Sequence, residues 1–269
     1  LPTDNPVLLV ALAALFGVLF GSFLNVCIYR LPRDLSIITP RSFCPECGHP
    51  ISWYDNLPLL SYAILRGRCR SCGKSIGIRY VVVEFTTAAL FALTIARYGP
   101  TLAALKWCVF DAIMVALFWT DLEERILPDE LTLGGTLLGL IFSVWVSVPG
   151  LFDSFSLASS PRAASVVNAS LGGVLLSLPI WLLGSLYGRL RKRDALGRGD
   201  IKLLAAIGVF LGLENGLFAL FIGAVSGSVL GLAYILWKRK DAASYELPFG
   251  SFLCFGAVAA PLISKFAVV

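Results

Sequence analysis

About eight apolar runs, near 7–29, 81–98, 101–120, 131–149, 164–188, 201–213, 215–237 and 248–268, dominate this chain. Most approach the roughly 20 residues that a helix needs to cross a bilayer. In hydrocarbon every backbone N–H and C=O must be satisfied internally, and for runs of this length that means α-helices. The fold class expected is therefore an all-α polytopic membrane protein. Composition agrees, since 57% of residues are hydrophobic and only 14% charged, where a soluble domain is nearer a quarter charged. The runs 201–213 and 215–237 are separated only by Leu213-Glu214-Asn215-Gly216 and read as a tight pair.

Placing the N-terminus outside puts the loops 30–80, 121–130, 189–200 and 238–247 in the cytoplasm. All of the 22 Lys and Arg except Arg97, Lys106, Arg162 and Lys265 then lie on that side, as the positive-inside rule requires. The net charge of +5 is thereby topological, and no nucleic-acid partner is expected. The run Arg189-Leu190-Arg191-Lys192-Arg193 reads as an interface anchor touching anionic lipid headgroups. Residues 147–162, rich in Pro, Gly, Ser and Asp, read as an external loop. The first run is too long, and too poor in upstream basic residues, for a cleaved signal peptide, so it is expected as a retained helix. Small and polar residues at its end, Gly21, Ser22 and Asn25, are expected to pack against a neighbouring helix.

Residues 31–80 form the one sizeable polar block and carry Cys44-Pro45-Glu46-Cys47-Gly48 and Cys69-Arg70-Ser71-Cys72-Gly73. Two C-x2-C knuckles fit a four-thiolate zinc site, and a closed shell of four soft ligands is structural rather than catalytic. Two disulfides are the alternative, disfavoured in a reducing compartment. His49, beside Cys47, is expected as a loop residue. Cys27, Cys108 and Cys254 sit singly in apolar runs as small hydrophobes.

Two aspartates stand at helix borders. Asp121 closes an outside-to-inside run, and Asp200, in Leu196-Gly197-Arg198-Gly199-Asp200-Ile201-Lys202, opens an inside-to-outside one, so both fall at the cytoplasmic border. Locally, Asp200 reads as the N-cap of a helix starting at Ile201. Taken together, the carboxyls sit at opposite helix poles, where dipoles disfavour the Asp121 anion and favour that of Asp200. One protonated and one ionised carboxyl are what an aspartic protease uses to activate water and protonate its substrate. Gly197 and Gly199 would admit an extended peptide close to the backbone. Asp111, ten residues before Asp121, lies about 15 Å away along a helix and is too deep to join the pair. Glu84, one turn inside its helix, pairs with Arg79 or faces a polar cavity.

Gly197-x-Gly199-Asp200 with Ile-Lys-Leu-Leu-Ala after it, and Asp121 followed by Leu127-Pro128-Asp129-x-Leu131-Thr132, are similar to the bacterial type IV prepilin peptidases, membrane aspartic proteases of the GxGD class. The likeness extends to Gly21-Ser22-Phe23-Leu24-Asn25-Val26-x-Ile28-Tyr29-Arg30-Leu31-Pro32, to the tetracysteine block and to Pro248-Phe249-Gly250. It departs from the family's common pattern at Val81, Gly134 and Ser251, where proline is frequent. The resemblance implies a bifunctional enzyme that cuts basic leaders from prepilins and pseudopilins at the cytoplasmic face of the inner membrane. It also implies N-methylation of the new N-terminal residue with S-adenosylmethionine, in support of type IV pilus assembly or type II secretion. Asp121 and Asp200 carry over as the catalytic pair, and Cys44, Cys47, Cys69 and Cys72 as the zinc ligands. No residues for S-adenosylmethionine are indicated. The division expected is a first helix over 1–30, a methylation-associated zinc domain over 31–80 and a membrane-embedded peptidase over 81–269. A transporter would place its carboxylates near the bilayer midplane, often in repeated halves. A purely structural assembly protein would need no aspartate pair.

Overall fold

The computed structural model describes residues 5–150, 160–191, 197–238 and 247–263. The expectations for the loop over 151–159, for Lys192 and Arg193, for Leu196, for 239–246 and for 264–268 lie outside the described residues. Among the described residues there are eight α-helices: α1 Pro6–Arg30, α2 Leu60–Ile64, α3 Arg79–Tyr98, α4 Leu102–Glu124, α5 Asp129–Ser143, α6 Pro161–Arg191, α7 Arg198–Lys238 and α8 Phe249–Ile263. No strand occurs among them, only two isolated bridges in the polar block. Five helices, α1, α3, α4, α6 and α7, are long and apolar enough to cross a membrane, and α8 is a shorter apolar helix. The protein is an all-helical, multi-pass membrane protein. Its chain divides into two compact units, Leu1–Ala116 and Leu117–Val269, with the division inside α4.

In the first unit, Asn5 caps α1 by accepting from the N–H groups of Val7 and Leu8, as side chains at N-caps do. The end of α1 packs on the start of α3. A Cβ at Gly21 would stand 2.7 Å from Glu84 Cα, and one at Gly17 2.7 Å from Ala88 Cα, so the two backbones approach where only glycine permits it. Asn25 donates from Nδ2 to the Tyr80 carbonyl, and the Ser22 side chain hydrogen-bonds the Glu84 carboxylate. Arg30, buried at the end of α1, donates to the carbonyls of Ser36, Pro40 and Arg41 and ties the polar block to the helix. Deeper in the unit, Thr94 of α3 donates to Asp111 of α4, so the Asp111 carboxylate has a packing partner.

In the second unit, the paired runs 201–213 and 215–237 appear as α7, broken at Gly212, whose φ of 75° and ψ of 177° are non-helical. A Cβ at Gly216 would lie only 3.6 Å from Gly208 Cα. In a straight helix those residues would be about 12 Å apart, so the chain turns back on itself at Gly212. A side chain there would also meet the Pro149 carbonyl at 2.5 Å, and φ in the left-handed region favours glycine in any case. The sequence places the break at Leu213-Glu214-Asn215-Gly216, directly after the glycine that makes it. Residues 198–211 pack against α6 through Gly208 and Gly172, where each backbone faces the other's carbonyl. Residues 213–238 pack against α8 through Gly223 and Gly227, and Gly231 meets the Leu247 side chain just before that helix.

Gly21→Ala should lower the thermal midpoint of the detergent-solubilised protein, costing about 1–3 kcal/mol through overpacking. Gly134→Ala, whose Cβ meets nothing within 4 Å, should leave it unchanged or raise it slightly, because alanine is the better helix former. Equal effects of the two changes would contradict the close α1–α3 approach.

Candidate functional sites

The second unit gathers both border aspartates. Asp121 lies in the last turn of α4 and is only 6% exposed. Its Oδ2 accepts the Ser251 backbone N–H at 2.6 Å and lies 3.0 Å from Ser251 Oγ. That hydroxyl is also 2.9 Å from the Phe118 carbonyl, and its single proton serves one acceptor at a time. Ser251 is the third residue of α8, so the N-terminal pole of a second helix points at Asp121. The expected separation of the two aspartates by dipole is altered, because Asp121 faces more than the carbonyls of its own helix.

Asp200 is not the N-cap. The helix α7 begins at Arg198, the Asp200 N–H bonds the Gly197 carbonyl, and Asp200 sits in the first turn, partly exposed. Gly197 takes the capping place, and a Cβ there would stand 3.2 Å from Asp200 Oδ2. Gly199 abuts Leu127, whose Cβ would be 3.0 Å from an added Cβ. The same Leu127 side chain reaches Gly250, where an added Cβ would stand 3.1 Å from Leu127 Cδ1 and 3.0 Å from Asp121 Cγ. Leu127 is thus wedged between the glycine before Asp200 and the glycine against Asp121. The carboxyls are close enough for the charge of one to act on the other, and both act on the buried Cys254 of α8.

Asp129 opens α5, and its two oxygens also hold Lys202 Nζ at 2.6 and 2.8 Å, tying α5 to the start of α7. Ser251 and Lys202 are the two polar partners that the sequence does not assign to the site. The only signal for Ser251 is a hydroxyl residue shortly after Pro248, in the first turn of a helix.

The first unit holds the cysteines. The Sγ atoms of Cys44, Cys47, Cys69 and Cys72 all lie within 4.8 Å of one another, and Cys44 and Cys72 are 4.0 Å apart. A tetrahedral ion with metal–sulfur bonds near 2.3 Å needs sulfurs about 3.8 Å apart, whereas a disulfide would bring them to about 2.05 Å. The two knuckles are copies of each other. Cys44 N–H bonds His49 O and Gly48 N–H bonds Cys44 O, while Cys69 N–H bonds Lys74 O and Gly73 N–H bonds Cys69 O. Gly48 and Gly73 have φ of 69° and 71°, the left-handed turn that wraps sulfur around an ion. Backbone N–H groups of Cys72 and Ser71 push the Cys69 thiol down, while Cys72 in the same cluster is pushed up, so Cys69 is the readier of the two to supply the thiolate that a metal binds. His49 is not in the ligand group. Beside the second knuckle, Arg70 forks onto Asp55 at 2.6 and 2.8 Å and holds its carboxyl below the usual range.

A cavity of about 520 Å³ lies between this block and the ends of α1 and α3. Glu84 faces it and accepts the Leu59 N–H at 2.8 Å.

Residues 15–98 match the Bacterial Peptidase A24 N-terminal domain, and residues 108–232 match the Type IV leader peptidase family. The chain is 35% identical to the Prepilin leader peptidase/N-methyltransferase of Burkholderia pseudomallei (strain 1026b), over 93% of this chain and 84% of that protein. It is 33% identical to the protein of the same name from Pseudomonas putida, over 93% and 88%, and 34% identical to that from Neisseria gonorrhoeae, over 87% and 85%. No solved structure matches the chain.

Purified protein should carry about one divalent metal ion per chain, and the Cys69→Ser, Cys72→Ser double variant should carry almost none by elemental analysis. Metal retained by the double variant would show that the four sulfurs are not its ligands.

Proposed function

The chain belongs to the type IV leader peptidase family, and from that premise we propose that it cuts the basic leader from type IV prepilins and pseudopilins and N-methylates the new N-terminal residue with S-adenosylmethionine. The site is proposed to face the cytoplasm across the bacterial inner membrane, with the N-terminus of α1 outside. In this reading the enzyme serves type IV pilus assembly or type II secretion. The observation that carries the peptidase assignment is the convergence of Asp121 and Asp200 on the Gly199–Leu127–Gly250 contact.

Asp121 and Asp200 are proposed as the catalytic pair, with Gly197 and Gly199 as the residues that keep Asp200 uncrowded. One carboxylate takes a proton from water as it attacks the scissile carbonyl, while the other carboxyl gives its proton to the carbonyl oxygen. As the gem-diol collapses, the first passes the water-derived proton to the leaving amine and the second recovers a proton from a gem-diol hydroxyl. Because Asp121 Oδ2 accepts the Ser251 N–H, a proton carried by Asp121 belongs on Oδ1. The four cysteines are proposed to hold one structural zinc that braces the polar block. Methylation is assigned to residues 31–80 with the helix ends beside them, and cleavage to the membrane-embedded remainder. When bound, S-adenosylmethionine supplies an electrophilic methyl group. The residues that can receive it are those of the cavity in the first unit.

Mass measurement of a prepilin incubated with the protein, with and without S-adenosylmethionine, reads the two activities separately. Asp121→Asn and Asp200→Asn should each reduce cleavage by at least about 100-fold, and Asp200→Asn should leave methylation of a pre-cleaved pilin largely intact. Asp129→Asn should lower cleavage only severalfold, since it loses a partly exposed ion pair. A fully active Asp121→Asn variant would falsify the dyad.

Ser251→Ala keeps the N–H donor to Asp121 and should cost about tenfold or less in kcat. Ser251→Pro installs the residue frequent at this position in the family and removes that donor, so any loss beyond that of Ser251→Ala reads the hydrogen bond to the carboxylate in this chain. The order Ala worse than Pro would show that the backbone donor plays no part.

A further inference from the structure

The cavity in the first unit has an unusual inner end. Asn25 is only 3% exposed, and among the described residues no donor reaches its Oδ1, although its Nδ2 is satisfied by Tyr80 O. A buried acceptor without a donor is costly and marks a place where a ligand donor belongs. Glu84 stands beside it. Ser22 bonds the Glu84 carboxylate and Asn25 bonds Tyr80, one turn apart on both helices, so the amide oxygen and the carboxylate share one α1–α3 seam.

The cavity's three cationic side chains are Arg30, Arg70 and Lys74. Arg30 is engaged by three carbonyls and Arg70 by Asp55, while Lys74 is exposed. The seam therefore offers acceptors and negative charge to a ligand with a positive centre. The remaining wall includes Tyr54, Tyr62 and Tyr80, aromatic surface suited to a purine or to a cation. A volume of about 520 Å³ lies in the range of small-molecule sites.

We propose that this cavity binds S-adenosylmethionine, with its positively charged methionine end at Asn25 Oδ1 and Glu84 and its adenine among the tyrosines. The proposal rests on the methylation half of the functional reading above. A pilin's neutral α-amine then takes the methyl group. Its lone pair forms the N–C bond as the C–S bond breaks, the electron pair of that bond stays on sulfur as a thioether, and the surplus proton leaves nitrogen for water. Asn25 and Glu84 orient the donor and take no part in the aspartate chemistry.

The test compares Asn25→Leu with Asn25→Asp in the full-length, detergent-solubilised protein. Both lose the donor to Tyr80 O, but only leucine loses the acceptor. Binding of tritiated S-adenosylmethionine should weaken about tenfold or more in Asn25→Leu and stay within severalfold of wild type in Asn25→Asp, with prepilin cleavage as the check on folding. Equal weakening of both variants would mean a packing role for Asn25 and overturn the assignment. Photocrosslinking of the same labelled donor to the wild-type protein is independent of any variant. Label should map to peptides within 22–84, and label within 117–269 would overturn the proposal. Wild-type protein that cleaves but neither binds the donor nor methylates would defeat the methylation reading itself, and the cavity assignment with it.

Discussion

A carboxylate in a helix that crosses hydrocarbon must find a donor or a counter-charge within the protein, and the acidic side chains of both units are arranged around that need. Glu84 takes the Leu59 N–H and the Ser22 hydroxyl. Asp111 takes Thr94, Asp121 takes the Ser251 N–H, and Asp129 takes Lys202. Each donor comes from a different element, so the acids act as fasteners between segments as well as polar groups. Leu59 shows the force of the requirement. Its φ of 57° is uncommon for a branched side chain, and its N–H is the one that Glu84 holds.

Small residues determine where such fasteners can form. A hydrogen bond between helices needs their axes close, and the glycines of α1, α7 and α8 bring them there. Gly21 lets α1 touch the backbone of α3 beside Glu84, and Gly250 lets α8 reach Asp121 closely enough for the next residue to donate. The proposed peptidase pair and the proposed methyl-donor cavity thus share one construction. In both, a glycine admits a neighbouring helix and a polar group within four residues of it uses the space.

Much of this can be read from the chain. The apolar runs locate the long helices because length and composition alone decide what can sit in a bilayer. The cysteine knuckles are legible from C-x2-C-G, a pattern whose glycine already implies the left-handed turn seen at Gly48 and Gly73. The paired aspartates are legible from their equal depth. What is not legible depends on tertiary approach. Nothing local marks Ser251 as the partner of a residue 130 positions earlier, or Leu127 as a wedge between two glycines. Gly212 looks like any packing glycine until the contact of Gly216 with Gly208 reveals the reversal. Asn25 reads as a helix-packing residue, which its Nδ2 confirms, while its orphaned oxygen emerges only once the surrounding block is in place.

The reversal at Gly212 leaves residues 198–211 as a limb only about 21 Å long at the helical rise, and α5, with 15 residues, reaches about 22 Å. A hydrocarbon core near 30 Å thick cannot be matched by segments of that length, and lipid beside a short helix responds by thinning. Asp200 and Asp129 stand at the starts of these two segments. Thinning of that kind would compress the acyl chains and lower the headgroup layer toward the two carboxyls. Such a dimple would let a single-spanning client slide laterally through the lipid until the junction of its charged and greasy parts meets a hydrated trough, without being pulled out of the bilayer.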